Sequence, residues 1–154
     1  GSNMNDKQKH ALDQIKNLFD SQAFAVLSTQ RDDQPYASLV AFAATNTLDQ
    51  ILFLTPRTTR KYDNLTRNPK VAVLISNHQN NPDDTHKAVC FTATGKAVIV
   101  ENQQKSELLH LITGRHPHLT SFSTDPATAM VCVRVDTFFV VSQFQDVIKI
   151  KVSP

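Results

Sequence analysis

Cysteine and glycine are scarce in this 154-residue sequence, and tryptophan is absent. Its two cysteines, Cys90 and Cys132, each sit in an apolar, strand-like run, which excludes a disulfide-stapled scaffold and a CxxC-type zinc module. Two unpaired packing thiols in a reduced, cytoplasmic setting are expected instead. With three glycines in all, at 1, 95 and 114, neither a Walker loop nor a Gly-rich dinucleotide fingerprint can be built. No Ser/His/Asp hydrolase order is present, and no apolar run approaches the roughly 20 residues of a membrane-spanning helix. Charge is sparse as well. Sixteen Lys+Arg against 14 Asp+Glu leave a net +2 without a dense basic block, so neither nucleic acid nor a membrane surface is an expected partner.

What remains is one soluble domain's worth of chain, expected over residues 5–152, with Gly1 to Asn3 reading as an expression remnant ahead of Met4. Ala11, Leu12, Ile15, Leu18 and Phe19 recur at the spacing of one helical face, which predicts a helix from Asn5 to Asp20. Phe24 to Thr29 and Tyr36 to Ala44 read as a hairpin around a polar turn from Gln30 to Pro35. A third strand, Ile51 to Thr55, leads into a short helix that must end near Asn68, because Pro69 disfavours α geometry in the residue before it. Strands follow at Val71 to Ser76 and Ala88 to Val100, separated by a polar loop from Asn77 to His86; Gly95 marks a bend in the second of them. A helix from Gln103 to Ile112, a Pro-containing loop and strands at Ala129 to Val135, Thr137 to Gln143 and Val147 to Val152 complete the chain. Most turns are short. That order favours a mainly β, α+β fold with a closed antiparallel barrel over a parallel sheet, which needs a crossover helix after nearly every strand.

The stretch from Phe53 to Pro69 carries the chemistry. A strand ends on Thr55, a turn holds Arg57, and a helix starts at Thr58 or Thr59 with Arg60 and Lys61 in its first turn. Cations there oppose the helix dipole, so local stability does not explain them, whereas a bound anion would. Backbone N–H groups, threonine hydroxyls and cationic heads together suit a phosphate dianion. The competing account is a threonine N-cap beside a solvated basic face.

Phe24-Ala-Val-Leu-Ser-Thr-Gln-Arg-Asp-Asp-Gln-Pro-Tyr-Ala-Ser-Leu-Val, Ile51-Leu-Phe-Leu-Thr and Asn68-Pro-Lys-Val-Ala-Val-Leu-Ile resemble the pyridoxamine 5′-phosphate oxidase-related FMN-binding split-barrel family. The likeness is strongest from Phe24 to Ile75. It implies a split antiparallel β-barrel with a few flanking helices, a homodimer, and FMN held between subunits. The FMN phosphate would lie on Thr55, Thr59, Arg60 and Lys61, and the flavin ring along Ser38, Leu39 and Val40, partly through backbone groups. Gln143 and Phe144, with Ser142 beside them, would close the ring from the partner subunit. Long apolar strands such as Ala129 to Val135 offer more hydrophobic faces than one core consumes, which also favours a homodimer.

The best-known oxidase of that family uses an Arg-rich C-terminal segment with a nearby Trp for its substrate; this chain has no Trp and ends Ile-Lys-Val-Ser-Pro. Pyridoxamine phosphate oxidation is therefore not expected. The expected function is an FMN-dependent oxidoreductase acting on an unidentified small molecule, with no acid-base dyad of its own and catalytic residues unknown. The alternatives are a non-catalytic flavin- or haem-binding split barrel and a deazaflavin-dependent reductase. His116 and His118 lack a third ligand at metal-site spacing, so no metal is expected.

Overall fold

In the computed structural model, residues 4–144 and 146–152 are described; the remnant expected at 1–3 lies outside them. Helix α1 (Asp6–Ser21) starts at Asn5, whose side chain accepts from the Gln8 N–H at 2.9 Å while the Gln8 side chain accepts from the Asn5 N–H at 3.2 Å. This reciprocal cap satisfies two donors that the helix start would otherwise leave open. Seven antiparallel strands follow: β1 (Phe24–Arg31), β2 (Gln34–Ala44), β3 (Gln50–Pro56), β4 (Lys70–Ser76), β5 (Val89–Ile99), β6 (Thr128–Ser142) and β7 (Asp146–Lys151). Between them lie α2 (Arg60–Arg67), α3 (Asp84–Lys87), α4 (Gln104–Arg115), a 3-10 turn (Pro117–Leu119) and α5 (Thr120–Ser123). The strand order is β3-β2-β1-β4-β5-β6-β7, and pairing of β3 with β6 closes the first six into a barrel.

Three expectations need correction. The β1–β2 connection is not a six-residue loop but a two-residue turn, with Asp32 and Asp33 at φ 51° and 67°. Aspartate tolerates the left-handed region, so the ladder runs on to Arg31 and Gln34. The strands expected at 129–135 and 137–143 are one strand, β6. Thr94 pairs with Thr137 but Gly95 with Val135, so Asp136 is the extra residue of a bulge that bends the strand without ending it. A Cβ at Gly95 would lie 2.1 Å from the Arg134 carbonyl oxygen, so the bend requires glycine. Finally, the loop from Asn77 carries the helical turn α3, and the Asp84 carboxylate gathers the N–H groups of Gln79 and Asn81 at 3.0 Å each.

The barrel interior is filled from alternate positions of the strands and from Ala11, Ile15, Leu18 and Phe19 of α1. Phe19 meets Phe91 and Phe138 edge-on, with centroids 5.2 and 6.3 Å away. The last turn of α1 has no basic residue of its own. Arg115, at the end of α4, donates instead to the carbonyls of Phe19 and Gln22, the latter at 2.7 Å, and supplies the cation that the helix C-terminus favours. Next to it His116 is buried, with Nε2 2.8 Å from the Phe42 carbonyl oxygen, so this ring joins α4 to β2.

Outside the barrel there are two walls. One, built from Ala43, Leu52, Met130 and Cys132, is covered by α4 through Ile112 and by Leu108 and Leu109 beside it. The other runs across the first half of β2, then β1, β4, β5 and the second half of β6. There Leu39, Val26 and Leu74 stand in register, followed by Thr92 and Phe139. Among the described residues no helix covers it: Leu39 is 71% exposed and Phe24 60%.

Candidate functional site

Strand β3 and helix α2 meet at two threonines. Thr55, buried at the strand's end, and Thr59, the N-cap of α2, have their hydroxyl oxygens 2.7 Å apart. Thr59 accepts from the Tyr62 N–H at 3.2 Å, as a capping threonine should. Arg60 and Lys61 occupy the first turn, where the helix leaves their N–H groups without intrahelical acceptors. Asp63, the acid of that turn, is already engaged by Arg31 at 2.7 Å and Arg67 at 3.2 Å. Among the described residues neither Arg60 nor Lys61 enters an ion pair. Arg60 rests over the Tyr36 ring, 5.7 Å from its centroid. Arg57 is occupied differently: it donates to Tyr62 Oη at 3.2 Å and to the Pro126 carbonyl at 3.3 Å, and stands 3.6 Å from Glu101, which ties the turn to the α5–β6 connection.

Two residues beyond Tyr36 on the same face of β2, the Ser38 hydroxyl is buried without a hydrogen-bond partner. An orphaned hydroxyl costs stability unless something outside the chain satisfies it. Leu39 points the opposite way, onto the open wall, and Val40 turns back into the core at 7% exposure. Of the ring-contacting residues expected on β2, then, Ser38 offers a polar atom, Leu39 an apolar surface, and Val40 a side chain committed to packing.

Gln143 and Phe144 lie elsewhere. Both adopt left-handed backbone, φ 54° and 58°, at the tip of the β6–β7 hairpin, and Phe144 is 58% exposed. Neither residue type favours that region, so the tip is held in a costly conformation that projects an aromatic ring outward. Phe144 lines a cleft of about 450 Å³ with Leu74, Ser76, His78 and Cys90. Within one chain, no cleft described brings Phe144 together with Thr55, Thr59, Arg60 or Lys61.

Sequence reading overlooked Tyr36 beneath Arg60. It also overlooked Asn64, 1% exposed, which donates to Thr29 Oγ1 at 3.0 Å while its own Oδ1 has no partner. Asn64 adjoins Leu65 on the buried face of α2; a polar residue beside the helix's one apolar anchor was the available signal. The cysteines form no disulfide with each other. Burial pushes the Cys132 thiol up to about 11 and raises that of Cys90, so both favour the protonated, unreactive form. Among the described residues no group of three or more His, Cys, Asp or Glu is placed to hold a metal, and no helix is long and apolar enough to cross a membrane.

The sequence matches the family model described as pyridoxamine 5′-phosphate oxidase over residues 11–142. It is 30% identical over 115 residues to the pyridoxamine 5′-phosphate oxidase homolog of Saccharomyces cerevisiae, a match covering 67% of this chain and 56% of that protein. The chain thus spans little more than half the length of that curated relative. Its fold is similar to that of a heme binding protein from Mycobacterium smegmatis, with a TM-score of 0.82 at 14% identity over 92% of this chain and 57% of the other. It is similar also to a FAD-binding protein from Mesorhizobium loti, with a TM-score of 0.66 at 12% identity over 82% and 91% of the two chains. At those identities the two structures share the split-barrel fold with this chain.

Proposed function

The chain belongs to the pyridoxamine 5′-phosphate oxidase family, and from that premise we propose that it is an FMN-binding homodimer acting as an oxidoreductase on a small molecule. The observation that carries the reading is the start of α2, where two cations without ion-pair partners among the described residues stand against the helix dipole beside free N–H groups, on the side of the barrel where Ser38 keeps an orphaned hydroxyl. These residues fit a phosphate: Arg60 and Lys61 hold its charge, while Thr55 and Thr59 share the hydroxyl network beside it. The apolar open wall around Leu39 fits a flat ring system, and bound flavin would supply the two-electron redox chemistry. This chain's part is to orient the ring and exclude water; no side-chain acid-base pair is required of it.

The same wall is the proposed subunit interface. Leu39, Leu74, Phe24 and Val147 make it too apolar for water alone, and a second copy covering it would bring its own β6–β7 tip, with Gln143 and Phe144, to the ring. An obligate interface of this kind buries more than roughly 2,000 Å² in total. A reducing, cytoplasmic setting belongs to the same reading, supported by the two unpaired thiols.

Haem is the second reading. His78 lines the cleft beside Phe144, its Nδ1 2.7 Å from Ser76 Oγ, which fixes one ring nitrogen and leaves the other for a ligand. The visible spectrum of the purified protein separates the two: flavin bands support the first reading and a Soret band the second. Titration then tests the phosphate site. Lys61→Ala and Arg60→Ala should each weaken FMN by about ten- to hundredfold, the worth of a charge-assisted hydrogen bond of roughly 1.5 to 3 kcal/mol, and leave riboflavin unchanged. Equal losses for both ligands would remove the phosphate assignment.

A further inference from the structure

Three cations stand side by side on the neighbouring strands β4, β5 and β6. Lys70 on β4 pairs directly with Lys96 on β5, and Lys96 directly with Arg134 on β6. Residues directly opposite one another in an antiparallel ladder share a face, so the three heads form a row about 10 Å long, two strand spacings across. All three are exposed, and among the described residues none has an ion-pair partner. Like charges in direct register destabilise a sheet. Asp136, two residues beyond Arg134 on β6, brings a carboxylate to the same cleft, yet among the described residues it forms no salt bridge with the row.

Lys70 and Lys96 open onto a cleft of about 460 Å³, whose other lining residues include Ser28, Gln30, Thr94 and the bulge residues Gly95 and Asp136. Its volume falls in the range of small-molecule sites, and it is open to solvent along one side. Pro35, Val71 and Ala72 give it an apolar side. The single carboxylate, Asp136, would repel a bare anion but suits a ligand that carries an N–H or O–H donor close to its phosphate.

We propose that this cleft is a second anion site, distinct from the one at α2, which takes a small phosphorylated molecule: the lysine pair holds the phosphate and Asp136 accepts from a donor on the ligand's body. The site needs no flavin, but Ser28, Ala72 and Thr94 stand two residues along from Val26, Leu74 and Thr92, so the cleft borders the wall proposed above as the subunit interface.

Inorganic pyrophosphate titrated into the full chain at low salt, followed by calorimetry, is the test. Lys70→Ala and Lys96→Ala should each weaken binding about three- to tenfold, and Asp136→Asn should strengthen it by a similar factor, because the probe has charge but no donor. Opposite signs within one cleft cannot come from loss of folding. Pyrophosphate also suits the anion site at α2, so the titration is repeated in the Arg60→Ala/Lys61→Ala chain, where the binding component that depends on Lys70 and Lys96 should remain. Thermal melting gives an independent readout: without ligand the Lys96→Ala variant should melt no lower than the wild type, since a like-charge pair is gone, and pyrophosphate should raise its midpoint less. Absence of binding at millimolar pyrophosphate, or loss of binding in the Arg60/Lys61 variant alone, overturns the proposal.

Discussion

The two outer walls of the barrel are made of the same kind of strand and end differently. On the covered wall, Leu52, Met130 and Cys132 are sealed by α4; on the open wall, Leu39, Phe24 and Leu74 face outward. A sheet that closes into a barrel has an inner face that packs on itself, so apolar residues on its outer face need a second layer. The covered wall finds that layer in its own chain. By the proposal above, the open wall finds it in another copy and in the cofactor between them. The difference shows that the same apolar residue carries fold stability on one wall and assembly on the other.

The sharpest way to break this comparison is to change one leucine on each wall. Leu52→Ala should cost about 2 to 5 kcal/mol in urea unfolding, the usual price of a cavity at a fully buried leucine. Leu39→Asp should leave the far-ultraviolet circular dichroism intact and convert a dimer to a monomer in sedimentation. If Leu52→Ala is nearly neutral, or Leu39→Asp still sediments as a dimer, the division of labour between the walls is wrong.

A cysteine on each wall sharpens it further. Cys132, 3% exposed, keeps its thiol protonated to about 11 against an ordinary value of 9.0. A folded-state value above the unfolded one gives stability that is complete below pH 9.0 and lost as pH rises toward about 11, roughly 2 to 3 kcal/mol in all. Cys132→Ala should flatten that alkaline loss even though it lowers stability at neutral pH. Cys90, half-buried on the open wall, should react slowly with a thiol reagent at neutral pH, and Cys132 more slowly still.

The smallest effect concerns acid. Backbone N–H groups of Gln79 and Asn81 hold the Asp84 carboxyl below the usual carboxylate value of 3.8. Its contribution is present above that value and lost as pH falls through the lower, folded-state one, so the loop bordering the Cys90 cleft should loosen only in strong acid. A Cys90 labelling rate that rose already near neutrality would contradict this.

Much of the fold was legible because strand alternation and the α1 face are written in single residues such as Ile15, Leu27 and Phe53. The barrel's closure was legible only as an architecture. The β3–β6 register depends on contacts about 80 residues apart, and the continuity of β6 through Asp136 depends on the absence of a Cβ on a different strand, at Gly95. At the site, the threonines and cations of α2 could be read because they break the helix-dipole rule within four residues of sequence. Tyr36, Asn64 and the Lys70–Lys96–Arg134 row could not, since each gains meaning only from a neighbour brought in by folding.

The bulge at Asp136 gives one strand two separate loyalties. Before it β6 pairs with β3 and shuts the barrel; after it β6 pairs with β7, whose far edge has no partner strand among the described residues. The hairpin that carries Phe144 can therefore fray and re-form on a fast clock while the ring of strands stays shut on a slow one. Amide hydrogens of Val147 and Lys149 belong to the first timescale, and those of Leu52 and Val131 to the second.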